Sequence, residues 1–254
     1  ANNLIGGNEE NAGNLIGGNE RGIQVSDPGT SYNRALNNRI GTDAAGQRSL
    51  NGDVGILIAD SANDNTVSAN LISGHTAIEG SCAVQVQGDS NRRVITQRNR
   101  IAANQIGTNR QGTAGVANNT GIILISGAVD TAVEDNVISG NLHNGVELIG
   151  VQTVHNRLRN NRIGVALDGV LVLRNGENGI LIHEAITNTI GVANIIAYND
   201  LAGITIGVQE ARSNTITQNS IFANRTGQIG YTGAVAAPPP PALTGWNDSV
   251  VSAG

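Results

Sequence analysis

The sequence predicts an all-β solenoid of about eight coils, in which long and short turns alternate. Three observations carry that prediction. One phrase is written repeatedly along the chain: Asn, any residue, Ile, two more residues, Asn, a short gap, then Gly-Ile-x-Ile. It starts at Asn14, Asn136, Asn194 and Asn219. The apolar runs are short, roughly three to five residues, and no apolar period of 3.6 persists over about ten residues, so strands are expected and helices are not. The chain has 34 Gly, Asn in similar abundance, and only 2% aromatic residues. Such a composition cannot fill an aromatic core, but it suits a thin core of stacked Ile, Leu and Val closed by tight turns in which Gly and Asn accept positive φ.

The repeat has two layers. Long phrases start at Asn38, Asn99 and Asn161, and short ones at Asn14, Asn70, Asn136 and Asn194. Each set recurs at about 60 residues, so the unit is a pair of coils. A coil of about 24 residues, or about 34 in the long form, suits three short strands. Stacking pairs each strand with its equivalent about 4.8 Å away, and about eight coils make a rod of roughly 40 Å. Ile then stacks on Ile inside, and Asn on Asn at the bends, where amides pair backbone groups that the bend leaves open. The residue after the Asn follows the alternation: Arg39, Arg100 and Arg162 in long turns, Leu15, Leu71, Val137 and Ile195 in short ones.

At the N-terminus the chain starts in mid-phrase with Asn3-Leu4-Ile5-Gly6-Gly7, on Ala1 rather than Met, and reads as a processed or excised piece. Residues 1–229 are expected to form the solenoid. Residues 230–254, with the run Pro238-Pro239-Pro240-Pro241 and the single Trp246, are expected to be a stiff linker, a lid over the last turn, or the start of another module. The two successive short turns at Asn194 and Asn219 break the alternation and mark its end.

The phrases Asn-x-Ile-Gly-Thr-Asp, Asn-x-Ile-Ser-Gly-Asn and Gly-Ile-x-Ile resemble the right-handed parallel β-helix repeats of large bacterial secreted and surface proteins, within the pectate-lyase-like superfold. The resemblance spans residues 1–229. Ile-Gly-Thr-Asp at 40–43 and Ile-Gly-Thr-Asn at 106–109 look most like repeat modules of multidomain cell-surface proteins. It implies an extracellular or cell-surface location and, in part of the superfold, enzymes acting on polysaccharides. The polygalacturonase pattern of Asn-Thr-Asp, Asp-Asp, Gly-His-Gly and Arg-Ile-Lys is absent. All 15 basic residues are Arg, so its Lys has no counterpart. The Asp-Pro-His-Glu motif of alginate epimerases is absent too. The reading therefore leans away from an enzyme.

Two sets of residues are candidates for binding. Asp27 and Asp60 fall five residues after a Gly-Ile start and Asp89 one further on, so stacked coils place them on one edge. A sugar or Ca2+ could sit there, with no other cofactor or metal site indicated; each acid also reads as the cap of its own turn. The second set is the lengthwise row Arg39, Arg100 and Arg162, which reads as a docking strip for another rod or an acidic glycan, or as Arg stems lying over aliphatics under the long loops. Glu147 stands alone on its face and makes no acid–base pair. His183-Glu184 reads as a surface pair, and Cys82 as a buried, inert thiol.

The net charge of −5 argues against nucleic acid and an anionic membrane as partners. No apolar run of about 18 residues spans a membrane. Asn-x-Ser/Thr triplets at Asn118, Asn224 and Asn247 are expected from composition alone. The function that follows is an extracellular structural or interaction protein, the β-helical rod of an adhesin, sheath or filament. Its partners are further copies, through open strand edges, or neighbouring modules of the same polypeptide. The alternative is a polysaccharide-binding or polysaccharide-degrading β-helix using the acidic edge at Asp27, Asp60 and Asp89.

Overall fold

The computed structural model describes residues 2–9, 12–89, 91–207 and 211–233. The expected coils are there. Three eight-stranded sheets run the length of the molecule, and every strand pairs in parallel with its equivalent one coil away. The first sheet starts at Leu4–Gly6 and ends at Thr215–Ile216, the second runs from Leu15–Ile16 to Ser220–Phe222, and the third from Arg21–Val25 to Gly227–Thr232. This is a right-handed parallel β-helix of eight coils. The last strand reaches Thr232, three residues beyond the 229 boundary. The proline run and Trp246 lie outside the described residues.

The inward positions make the core. In the second sheet one residue per strand faces in, and it is Ile in every coil: Ile16, Ile40, Ile72, Ile106, Ile138, Ile163, Ile196 and Ile221. The first sheet adds Val67, Ile101, Val133 and Leu158, and the third Ile56, Val84, Ile122 and Val146, all fully or almost fully buried. Burying an aliphatic side chain of this size contributes roughly 1.5–3 kcal/mol. The Gly of each Gly-Ile phrase has a packing reason. A Cβ at Gly121 would lie 2.4 Å from the Gly145 carbonyl oxygen and 2.6 Å from Cγ2 of Ile138.

Each corner is held by a ladder of amides. Between the first and second sheets it runs Asn14, Asn38, Asn70, Asn104, Asn136, Asn161, Asn194 and Asn219. Up to Asn161 each residue gives both its backbone N–H and its Nδ2 to the Oδ1 of the next, at 2.8–3.1 Å. The second amide hydrogen turns back to a carbonyl in the preceding coil, as from Asn136 to Ile101 at 2.9 Å. Both donors and both lone pairs of the carboxamide are used, and no other side chain of this length offers that set. From Asn38 on, the residue before each member is held at positive φ, among them Ala69 at 56° and Ala103 at 54°.

A second ladder precedes the first sheet: Asn3, Asn33, Asn65 and Asn99, then Asn156, Asn188 and Asn214. Thr131 fills the gap, and its buried hydroxyl has no partner. A third ladder follows the second sheet through Asn118, Asn141, Asn175, Asn199 and Asn224. His75 begins it, its Nδ1 2.9 Å from Oδ1 of Asn118. Two of the Asn-x-Ser/Thr triplets, at Asn118 and Asn224, thus have their Asn buried inside the structure.

These ladders correct the register of the long phrases. Asn99 belongs to the ladder before the first sheet, and the coil's equivalent of Asn38 and Asn161 is Asn104. Each coil carries two similar phrases a few residues apart, so Asn99-Arg100-Ile101 copies the letters of Asn38-Arg39-Ile40 without sharing its place. With Gln105 in place of Arg100 the alternation is Leu15, Arg39, Leu71, Gln105, Val137, Arg162, Ile195, Ser220.

Asn136→Ala removes one carboxamide and its four hydrogen bonds from a dry corner and orphans the groups it served. It is expected to cost about 3 kcal/mol, read as a fall in the urea midpoint. Thr131→Asn restores the missing rung and is expected to stabilise by about 1 kcal/mol; an unchanged midpoint would show that the ladder does not need it.

Candidate functional site: a groove beside stacked hairpins

The loops between the second and third sheets are long in every second coil, and each long loop is a small hairpin. Antiparallel bridges close them at Thr42–Ser49, Thr108–Gly115 and Val165–Val172. Their tips turn on Gly46, Gly112 and Gly169, at φ of 67°, 68° and 75°. Side-chain oxygens fix the turns. Asp43 accepts from the N–H groups of Gln47 and Arg48, Asn109 from Thr113 and Ala114, and Asp168 from Val170 and Leu171. The Gln47 N–H does most to hold the Asp43 carboxyl below the usual carboxylate range. The hairpins also bond to one another across the intervening short coil, Arg110 N to Gly46 O and Leu167 N to Gly112 O, both at 3.1 Å.

Beneath each hairpin lies the polar residue that follows the ladder Asn. Arg39 donates to the Ala44 carbonyl. Gln105, with its amide nitrogen turned toward them, donates to the carbonyls of Asn109 at 3.1 Å and Arg110 at 3.3 Å. Arg162 passes under Gly169, whose added Cβ would be 3.3 Å from its Nε. Arg39 and Arg162 are therefore struts, consistent with Arg stems packed under the long loops. Arg100 does not join them. It lies in the first sheet, paired in register with Thr66 and Ala132, and its guanidinium meets Glu134. The row Arg39, Arg100 and Arg162 is not one strip, because Arg100 has the register of the other ladder.

The shelf of hairpins walls one side of a groove on the outer face of the second sheet. The other wall is the corner at Asn37, Ala69 and Ala103, and Asn8, Glu9 and Gly13 close one end. Leu71 and the struts Arg39 and Gln105 form the floor, with Arg110 on the hairpin side. The groove has a volume of about 580 Å³. Its lining mixes guanidinium, amide and carboxylate groups with one buried aliphatic, a set of contacts suited to a hydroxyl-rich ligand.

The acidic edge takes a different form. Asp27 and Asp60 share one register position on neighbouring coils, two residues past the paired Val25 and Ile58. Both are at positive φ, 78° and 52°. Asp89 lies one residue further along its coil. Its Oδ1 accepts from the N–H groups of Asn91 and Arg92, and its Oδ2 is 3.3 Å from Arg92 Nε. Among the described residues, no three His, Cys, Asp or Glu side chains gather where they could hold a metal ion.

Glu147 has company that the sequence did not show. Its Oε1 accepts from Asn144 Nδ2 at 2.9 Å and from Thr120 at 3.1 Å. The same Asn144 nitrogen reaches Glu177 Oε2 at 2.9 Å, and His143 Nδ1 is 3.1 Å from Glu177 Oε1. This cluster draws on three successive coils, so its members are far apart in sequence. His183 and Glu184 face each other at 4.0 Å, both about half exposed.

Fold and groove together define a β-helix with a polar cleft on its outer surface. In sequence, residues 114–237 match the family described as periplasmic copper-binding protein (NosD). No curated protein matches the chain in sequence. Among solved structures, a double mutant of the periplasmic alginate epimerase AlgG shares the fold, with a TM-score of 0.52 and 15% identity. That match covers 84% of this chain and 55% of the epimerase. A second AlgG structure gives a TM-score of 0.49 at 15% identity, over 84% and 50% of the two chains. The chain thus spans about half the length of those enzymes.

Among the described residues, the side chains do not gather into a copper site. Copper draws on Cys, His and Met, and this chain has one Cys, four His and no Met. Cys82 is fully buried, and burial pushes its thiol pKa well up. His75 is buried against Asn118, while His143 and His183 face different carboxylates.

His75 gives the molecule a pH response. Burial pushes its pKa down, against the Asn118 hydrogen bond and the charge of Asp53, which push it up. The folded state therefore resists a proton that the unfolded chain accepts below about pH 6.5, and stability is lost as pH falls through that value toward the lower folded pKa. His75→Asn keeps the rung and removes the titration. Its melting temperature is expected to fall less than that of the wild type between about pH 8 and pH 5; parallel melting curves would exclude the effect.

Proposed function

We propose that this chain is a polysaccharide-binding β-helix that works outside the cytoplasm, with a stretch of a carbohydrate polymer lying in the groove of the second sheet. The groove carries the reading: it is open, polar, floored by Leu71, and flanked by hairpins that the fold builds only on alternate coils. Two comparisons support it. The matched family and the alginate epimerase are both described as periplasmic, and the epimerase handles a polysaccharide on the same fold. The rod of a surface filament draws on the regular stack alone. Arg110→Ala takes a cation from the groove wall without touching a ladder. It is expected to weaken binding of a carbohydrate polymer about tenfold, or about 1.4 kcal/mol, by calorimetry, with the melting temperature unchanged. Equal affinities for the variant and the wild type would move the site elsewhere.

A second reading, an enzyme that cleaves a carbohydrate polymer held against the third sheet rather than in the groove, is favoured by one observation: Glu147 and Glu177 are brought to the same Asn144 nitrogen, with His143 on Glu177. Glycosidases work with a pair of carboxyl groups flanking the scissile bond. New reducing ends formed by the wild type, and abolished by Glu177→Gln, are the expected signature of that activity. If none form from any bound polymer, the enzyme reading fails and binding stands.

A further inference from the structure

The first sheet carries its charge on one side of the balance. Its outward positions hold Arg34, Arg100, Arg157 and Arg159 against the single carboxylate of Glu134; the others are Thr, Ser, Ala, Gly and Leu. In a chain of net charge −5 this is a concentrated basic face. Arg34, Arg100 and Arg157 share one register column, with Thr66 and Ala132 between them. They recur at every second coil, about 9–10 Å apart along the rod. All four arginines are exposed.

Two features show what this face accepts. Glu134 is gripped from both sides, by Arg100 and by Arg159, whose Nε is 2.6 Å from Oε2. The guanidinium groups thus already hold a carboxylate supplied by the chain itself, and their planar forks fit that shape. Among the described residues neither Arg34 nor Arg157 meets a carboxylate; the polar contact of the Arg34 side chain is with Asn8 at 3.4 Å. Tyr32, two residues before Arg34, is 61% exposed, in a chain with three Tyr in all. An exposed ring beside a row of cations suits a sugar face flanked by acid groups.

We propose that the outer face of the first sheet is a docking surface for an acidic polysaccharide, whose uronate carboxylates engage Arg34 and Arg157 while the polymer runs along the rod. Regularly spaced charges meet the row at several points at once, so weak contacts combine through effective concentration. The surface lies round the corner from the groove and does not use it. The direction along the rod follows from the column, which crosses coils 2, 4 and 6.

The test is retention on immobilised polygalacturonate at low salt, with dextran as the neutral polymer and polyaspartate as the acid without sugar. The wild type is expected to be held by polygalacturonate and not by dextran, and to be released as salt rises, since exposed charge pairs are screened. The double variant Arg34→Gln and Arg157→Gln is expected to lose about 90% of that retention, a tenfold effect. Arg157→Glu alone, at an exposed position, is expected to do the same, and a melting curve confirms that both fold. Arg225→Gln, at an exposed arginine outside both the first sheet and the groove, is expected to leave retention unchanged. Retention of the double variant equal to the wild type overturns the proposal. So does equal retention on polyaspartate, which removes the sugar, or an equal loss on Arg225→Gln, which makes the effect one of overall charge.

Discussion

The amide ladder is the interaction on which the rest depends. A coil of three short strands turns sharply three times, and each turn leaves backbone donors and acceptors facing inward where no water reaches them. The residue entering the turn is forced to positive φ, which costs a non-glycine residue roughly 1–2 kcal/mol. One Asn per corner answers both problems. It bonds the coil before, its own corner and the coil after, so no rung is complete without its neighbours. Stability in such a stack comes from interfaces between adjacent coils. The places where the rule bends are consistent with this: Thr131 leaves an orphaned hydroxyl, and His75 introduces a titrating group.

Because the ladders fix the corners, the loops beyond them are free to vary. The chain uses that freedom with a two-coil rhythm. A hairpin projects from alternate coils, its Asp or Asn caps its own turn, and Arg or Gln beneath it props it against the sheet. Coils without hairpins carry Leu, Val or Ile at the strut position, except the last, which has Ser220. The hairpins are close enough to bond to one another, and they become a continuous wall. The groove is the space between that wall and the next corner, so it is a consequence of alternation rather than of any single motif.

Charge is distributed by face. The third sheet and its loops gather Glu147, Glu177 and His143, the edge beyond it carries Asp27, Asp60 and Asp89, and the first sheet gathers Arg. Glu134 sits among the arginines. Its burial pushes its carboxyl up, but the hydrogen bonds of Arg159 and Arg100 outweigh that and hold it below the usual range. A flat parallel sheet lets residues on successive coils act as one row, which is how a protein with few charges can present a strongly charged surface.

Much of the fold was legible in the sequence. The Asn-x-Ile phrase, repeated at coil length, determined the all-β stack, the Ile core and the Asn ladder, because each of these is a demand made on one residue type at a fixed place in every coil. The alternation of Arg with Leu was legible for the same reason. The register was not. Two phrases of the same letters occur in each coil, and letters alone could not tell that Arg100 belongs to the first sheet while Arg39 and Arg162 belong to the second. The groove and the Glu147 cluster were also hidden, since their members come from different coils. Local sequence repeats specify what each coil needs for itself. Which side chains become neighbours depends on how the coils are superimposed, and only the tertiary structure decides that.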